Sequence, residues 1–282
     1  MPTPVELVLP VWLQALGVLD AWGIKPAYML LGFWLLWRLR GQTQPEMRWL
    51  WWGLVAFEIG ESACAVNYLV FDLQSVPWEL VHDAGMIVAA MAITMGLLEL
   101  LDRRMLFQFS SDKACALMRF CRDCPVRASS CCRFRPLFMF LCAVGALVSA
   151  APLTREAVID HPVAVSFFGR TIVEYHLPAS QIVENRICPI VAVAFFLATL
   201  VLLWRARDPH LRWERLLFSA AVGAAFFGLF RFVNYRANFD TAVWFDFWEE
   251  STEFAAVAGL ALLLHVVGDR LEPAASRPKG GE

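Results

Sequence analysis

The chain has 282 residues, 59% of them hydrophobic and 18% charged, with 12 Trp, 22 Phe and a mean hydropathy of +0.55. Soluble domains run at roughly 45–50% apolar and about 25% charged, so this composition excludes a soluble globular domain. The formal net charge is -2 and the basic residues form short clusters between apolar runs, a membrane-topology pattern that excludes nucleic acid as a partner.

The opening stretch "MPTPVELVLP" has no basic leader and carries Glu6, so no cleavable signal is read there. Residues 4–19 are apolar but broken by Pro10, and they read as an interfacial helix or re-entrant lead-in within an N-terminal segment, 1–19. Apolar windows then predict spans near 20–38, 49–70, 78–101, 136–153, 187–204, 214–235 and 247–268. Each is close to the roughly 20 residues a helix needs to cross a bilayer, the fourth being short. A spanning segment must satisfy its own backbone, so the expected fold is all-α: a polytopic protein of seven transmembrane helices. Segment 104–135 is a Cys/Arg-rich loop and 271–282 a tail. In the outer loop at 154–186, the alternation around Gly169-Arg170 reads either as a short hairpin over the outer face or as an ordinary ordered loop.

Basic residues set the orientation. The segments 38–48, 103–135 and 205–215, with Arg270 and the tail, together hold 18 of the 24 Lys and Arg, all on one side if there are seven spans. By the positive-inside rule that side is the cytoplasm, which puts the N-terminus outside and implies a multi-pass protein of the cell inner membrane.

An internal repeat supports that count. "LLWRLR" at 35–40 matches "LLWRAR" at 202–207, and the same offset of 167 lays Arg48 on Arg215. It also lays the "VNY" of 66–68 on 233–235 and the "DR" of 102–103 on 269–270. Residues 20–103 and 187–270 therefore read as two three-helix repeats, with 136–153 as the linker helix that keeps them parallel. Parallel repeats place a shared site at the interface between halves.

"FEIGESACAVNY" at 57–68 places Glu58 and Glu61 inside the second span. A carboxylate in hydrocarbon is costly and marks a counter-charge, a bound cation, a proton pathway or a water-filled cavity. At a rise of 1.5 Å per residue, Glu61 lies about 10 Å below the outer boundary, His82 and Asp83 about 6–8 Å, and Glu250 and Glu253 about 6–10 Å. Three helices thus bring carboxylates to one layer. Glu58/Glu61, Glu79/His82 and Glu250/Glu253 are i,i+3 pairs, each on one helix face. Helical bundles hold di-iron and di-manganese centres with such Glu and Glu-x-x-His sets. The candidate metal ligands are Glu58, Glu61, Glu79, His82, Asp83, Glu249, Glu250 and Glu253, a set suited to Fe or Mn and then Zn. The bland alternatives are solvated ends for Glu79, Asp246 and Glu249, a structural ion pair of Glu58 or Glu61 with Arg231, and a hydrogen-bonded core role for His82. Asn67 and Asn234 occupy matching repeat positions, as helix caps or as hydrogen-bond donors to a ligand.

Cys115, Cys121, Cys124, Cys131 and Cys132 crowd the cytoplasmic loop, where structural disulfides are not expected. Four such thiolates can hold Zn or an iron–sulfur cluster; the alternative is a set of free, redox-reactive thiols beside arginines. Cys64, Cys142 and Cys188 read as apolar packing residues. The functional expectation is a membrane metalloprotein doing redox chemistry as a metal-dependent oxidoreductase. Its partners would be the lipid bilayer, a quinone or other lipid-soluble substrate, and a cytoplasmic redox partner. A divalent metal-ion transporter and a seven-helix sensor are the alternatives.

Overall fold

The computed structural model describes residues 5–101, 134–155, 163–168, 170–174, 178–205, 211–238 and 242–268. The five loop cysteines, Cys115, Cys121, Cys124, Cys131 and Cys132, and the tail lie outside these residues.

The chain starts with a strand, β1 (Val5–Val8), and Pro10 then begins α1 (Val11–Leu19). A π-helical turn, Asp20–Ile24, carries α1 without interruption into α2 (Lys25–Leu39). The interfacial helix expected over 4–19 therefore begins only after Pro10. Residues 5–8 are extended and pair in parallel with β2 (Val163–Phe167), which turns back antiparallel into β3 (Arg170–Glu174). The hairpin is present, and Phe167 faces Arg170 across its turn.

Two long helices follow, α3 (Pro45–Phe71) and α4 (Val76–Leu100), each with a proline in its first turn, where the missing N–H is no loss. Asp72 and Leu73 both adopt left-handed φ, 49° and 59°, which stops α3 and turns the chain into α4. After α5 (Phe134–Ser149), the short α6 (Pro178–Ile182) passes through a second π turn, Val183–Ile187, into α7 (Cys188–Arg205). The chain then forms α8 (Arg212–Asn238) and α9 (Ala242–Gly268). Both ends of α8 sit 167 residues after the ends of α3, the offset of the sequence repeat.

Among the described residues, five segments are long and apolar enough to cross a membrane: Pro45–Phe71, Val76–Leu100, Arg135–Thr154, Ala179–Arg205 and Arg212–Asn234. At most 39% of the most apolar stretch of each is buried inside the protein, so the rest of its apolar surface faces outward. Apolar surface on that scale is stable only against lipid. The chain is a multi-pass membrane protein, helical apart from the small sheet. The other two expected spans differ for physical reasons. Helix α2 alone has 15 residues, about 22 Å of rise, and α9 carries Asp246, Glu249, Glu250 and Glu253 in its first half.

Helices α2, α3, α4, α8 and α9 contact one another in that cyclic order, with α7 on the outside of α8 and α5 on α7. Close approach depends on missing side chains. A Cβ on Gly85 would stand 2.6 Å from Gly60 Cα, so α3 and α4 cross backbone to backbone. A Cβ on Gly223 would stand 2.5 Å from the Ile87 carbonyl, which draws α8 equally near α4. Leu35, Leu39, Leu50, Leu54, Leu100, Leu260 and Leu264 fill one end of this ring. Glu46, Glu99 and Arg215 are polar groups at that same end, with Arg215 3.1 Å from Glu99, and the larger carboxylate cluster lies toward the other end, the one that carries the sheet.

Candidate carboxylate site

Each site residue is placed by helix geometry. Glu58 and Glu61 project from α3 toward α2 and α9, Glu79, His82 and Asp83 from the first two turns of α4, and Glu249, Glu250 and Glu253 from α9. The structure brings Glu61, Glu250 and Glu253 into one group and Glu79 and Asp83 into an adjoining one, and leaves Glu58, His82 and Glu249 outside both.

The first group is built on Tyr28, which is fully buried in α2. Its hydroxyl lies 2.5 Å from Glu61 Oε2 and 2.9 Å from Glu253 Oε2, and it also contacts Glu250. Lys25 Nζ, one turn away, sits 2.6 Å from Glu61 and 2.8 Å from Glu250. Oxygens of Glu61, Glu250 and Glu253 lie within 4.8 Å of one another. That is ligand spacing, but an ammonium and a phenol already stand among them. Glu58, 4% exposed, lies one turn further along α3 with neither oxygen hydrogen-bonded.

The second group is Glu79, Asp83 and Glu184, whose oxygens also lie within 4.8 Å of one another. Ser180 Oγ is 3.0 Å from Asp83 Oδ2 and 3.1 Å from Glu184 Oε1. A hydroxyl owns one hydrogen, so it cannot donate to both carboxylates. Asp83 Oδ1 and Glu184 Oε2 have no hydrogen-bond partner, and both residues are 2% exposed.

Arg231 bounds this group. Its guanidinium grips Glu249 with two contacts of 2.5 Å and lies 3.7 Å from Glu184, between the rings of Phe227 and Phe245. The ion pair considered from the sequence is therefore redistributed: Arg231 goes to Glu249, and Lys25 goes to Glu61. Arg231 Nη2 also lies 3.4 Å from His82 Nε2. A guanidinium only donates, so Nε2 accepts and Nδ1 carries the hydrogen, 3.1 Å from the Gly60 carbonyl. Both imidazole nitrogens are engaged, which leaves His82 a structural neighbour of the metal-like groups in this geometry.

Asn67 donates to Glu79 at 3.0 Å and accepts from the Ser75 amide at 3.0 Å, tying α3 to the start of α4. Its repeat partner Asn234 donates to the Phe245 carbonyl at 3.0 Å, tying α8 to α9. Capping and carboxylate contact thus occur together at Asn67.

Both groups adjoin a cavity of about 460 Å³ at the sheet end. Its polar lining includes Lys25, Glu79, Glu184, Arg231, Glu249 and Glu250, while Trp22, Met29, Tyr68 and Phe245 contribute apolar wall. Phe168, from the hairpin turn, also lines it, held by its amide 2.6 Å from Gln14 Oε1 of α1. The two π turns contribute Asp20 and Glu184, which fits the tendency of such turns to occur at functional sites.

Lys25, Tyr28, Ser180 and Glu184 join the site without being among the residues expected from the sequence. Lys25 and Tyr28 are an i,i+3 pair near the outer end of a predicted span, so the depth argument applied to the acids would have found them. Ser180 and Glu184 fall in the expected outer loop at 154–186, although their i,i+4 spacing leads directly into the next span. The chain matches no family model, no curated relative and no solved structure.

Proposed function

We propose that the protein is a seven-span membrane metalloprotein that holds a hard divalent cation through Glu79, Asp83 and Glu184 at the base of an outer-facing cavity. On this reading α2 and α9 also cross the bilayer, the two three-helix repeats run parallel, and the sheet lies on the outside of a cell inner membrane. The observation that carries the reading is the pair of orphan oxygens on Asp83 and Glu184, which share a single serine hydrogen beside Glu79. Among the described residues, no cationic side chain lies among these three carboxylates in the way Lys25 lies among the other three; Arg231 stands at the edge, 3.7 Å from Glu184 and directed to Glu249. With His82 engaged elsewhere, the donors are oxygens only, which favours Mn²⁺ or Fe²⁺ over Zn²⁺.

Redox use ranks above transport because apolar side chains fill the ring between the carboxylate layer and the opposite end. A resident ion fits that closed floor better than one in transit. The loop cysteines would then carry electrons on the cytoplasmic side, with a lipid-soluble substrate such as a quinone entering the cavity.

Mn²⁺ binding to the full chain in detergent, read from the loss of the free-ion paramagnetic signal, tests the site. Binding is expected in the parent and in Glu253→Gln, and lost in Asp83→Asn and in Glu184→Gln. Equal binding by all four proteins, or none by the parent, overturns the reading.

A further inference from the structure

A second, separate function rests on Glu58. It lies thirteen residues from either end of the 27-residue α3 (45 to 58, 58 to 71), about 20 Å from each end and so near the middle of the bilayer. Its carboxyl group abuts Gly32 of α2, where a Cβ would overlap Oε1. An ionised carboxylate 4% exposed in hydrocarbon with no hydrogen-bond donor is among the costliest groups a protein can hold. The neutral acid is not.

The hydrogens of the Tyr28 group also need a source. One phenol hydrogen serves one acceptor, yet Glu61, Glu250 and Glu253 all lie within hydrogen-bond reach of that oxygen. The remaining contacts are hydrogen bonds only if carboxyl groups supply the hydrogens. The ionisable groups facing this layer are Asp20 from the first π turn, Lys25 and Tyr28 from α2, Glu61 and Cys64 from α3, His82 from α4, and Glu249, Glu250 and Glu253 from α9. Lys25 is in direct contact with two of these carboxylates, Glu61 and Glu250.

We propose that Glu58 is a resident carboxylic acid that exchanges its proton with the cavity through Glu61, Tyr28 and Glu250. Glu250 lines the cavity and contacts Tyr28, Tyr28 contacts Glu61, and Glu58 is the i,i+3 neighbour of Glu61 on one helix face. Along Glu250, Tyr28 and Glu61 a proton leaves one oxygen for a lone pair on the next; the last hop requires Oε1 of Glu61, which has no hydrogen-bond partner, to swing onto Glu58. The phenol takes up one hydrogen as it gives up another, and no electrons change hands. The route ends at Glu58, because Leu35, Leu50 and Leu54 close the ring beyond it. It is therefore a one-sided proton store, independent of whether a metal binds at Glu79, Asp83 and Glu184.

Infrared difference spectra of the full chain in detergent, recorded after transfer from H₂O to D₂O, test this. The parent should show a carboxylic-acid C=O band that shifts on deuteration. Glu58→Gln should remove that band and Glu58→Asp should move it, the aspartate variant serving if the glutamine variant does not fold. Tyr28→Phe should leave the band but slow its exchange roughly tenfold, by removal of one hydroxyl relay. A band unchanged in Glu58→Gln and Glu58→Asp means that Glu58 is ionised, and the proposal fails. Exchange at the parent rate in Tyr28→Phe removes the route. Neither result bears on Mn²⁺ binding.

Discussion

Replacing Arg231 with methionine removes the cation that two carboxylates of different elements share. Arg231 is 7% exposed and gives Glu249 two contacts of 2.5 Å, a fork-to-fork geometry that aligns both N–H groups with both oxygens. Breaking a buried pair by removing one partner costs about 3–5 kcal/mol, because the other charge stays buried without compensation. Glu184 loses its neighbour at 3.7 Å and His82 Nε2 loses its donor in the same step, which favours the upper part of that range. For a chain of this size about 2–4 °C of melting temperature follows each kcal/mol, so Arg231→Met should melt roughly 10 °C lower. The assay is thermal unfolding in detergent followed by tryptophan fluorescence, with metal omitted. Arg231→Met with Glu249→Met should recover much of the loss, since apolar pairs often replace buried ion pairs at little cost. A single substitution within about 1 kcal/mol of the parent, or a double mutant as low as the sum of both singles, refutes the reasoning.

Gly85→Ala sets a Cβ 2.6 Å from Gly60 Cα, where only backbone can give way, and should cost about 2–3 kcal/mol in the same melting assay. Gly259→Ala, with open space around its Cβ, should leave the melting temperature unchanged or slightly raised. A cysteine engineered at 165 should be labelled from outside intact cells and one at 125 should not, as the placement of 18 of 24 basic residues requires; the reverse labelling inverts the bundle. Anaerobically purified protein should be brown if Cys115, Cys121, Cys124 and Cys131 or Cys132 hold an iron–sulfur cluster, and colourless with stoichiometric metal if they hold zinc. Native alkylation of all five thiols, with neither colour nor metal, leaves free thiols.

Much of this molecule follows from local pattern. Long apolar stretches dictate helices wherever lipid is the solvent, because no other open structure satisfies the backbone there. Helical periodicity and a fixed rise per residue then put Glu61, Asp83, Glu250 and Glu253 at one depth, and the structure has them at one end of the bundle. The offset of 167 likewise anticipates that α3 and α8 match in length. Other features are decided between elements. Depth along a helix axis says nothing of which helix lies across from which, and that choice gives Lys25 to Glu61 and Arg231 to Glu249. Missing Cβ atoms on Gly60, Gly85 and Gly223 make the choice by letting α3, α4 and α8 approach backbone to backbone. β1 pairs with a strand more than 150 residues away, a contact invisible in the apolar run around Pro10. Glu184 belongs to the site only because a π turn keeps the helix unbroken ahead of α7 and faces that carboxylate toward Asp83. Periodicity is a property of a segment and can be read from it, whereas the pairing of charges is a property of the packed bundle, set by which helices can come close.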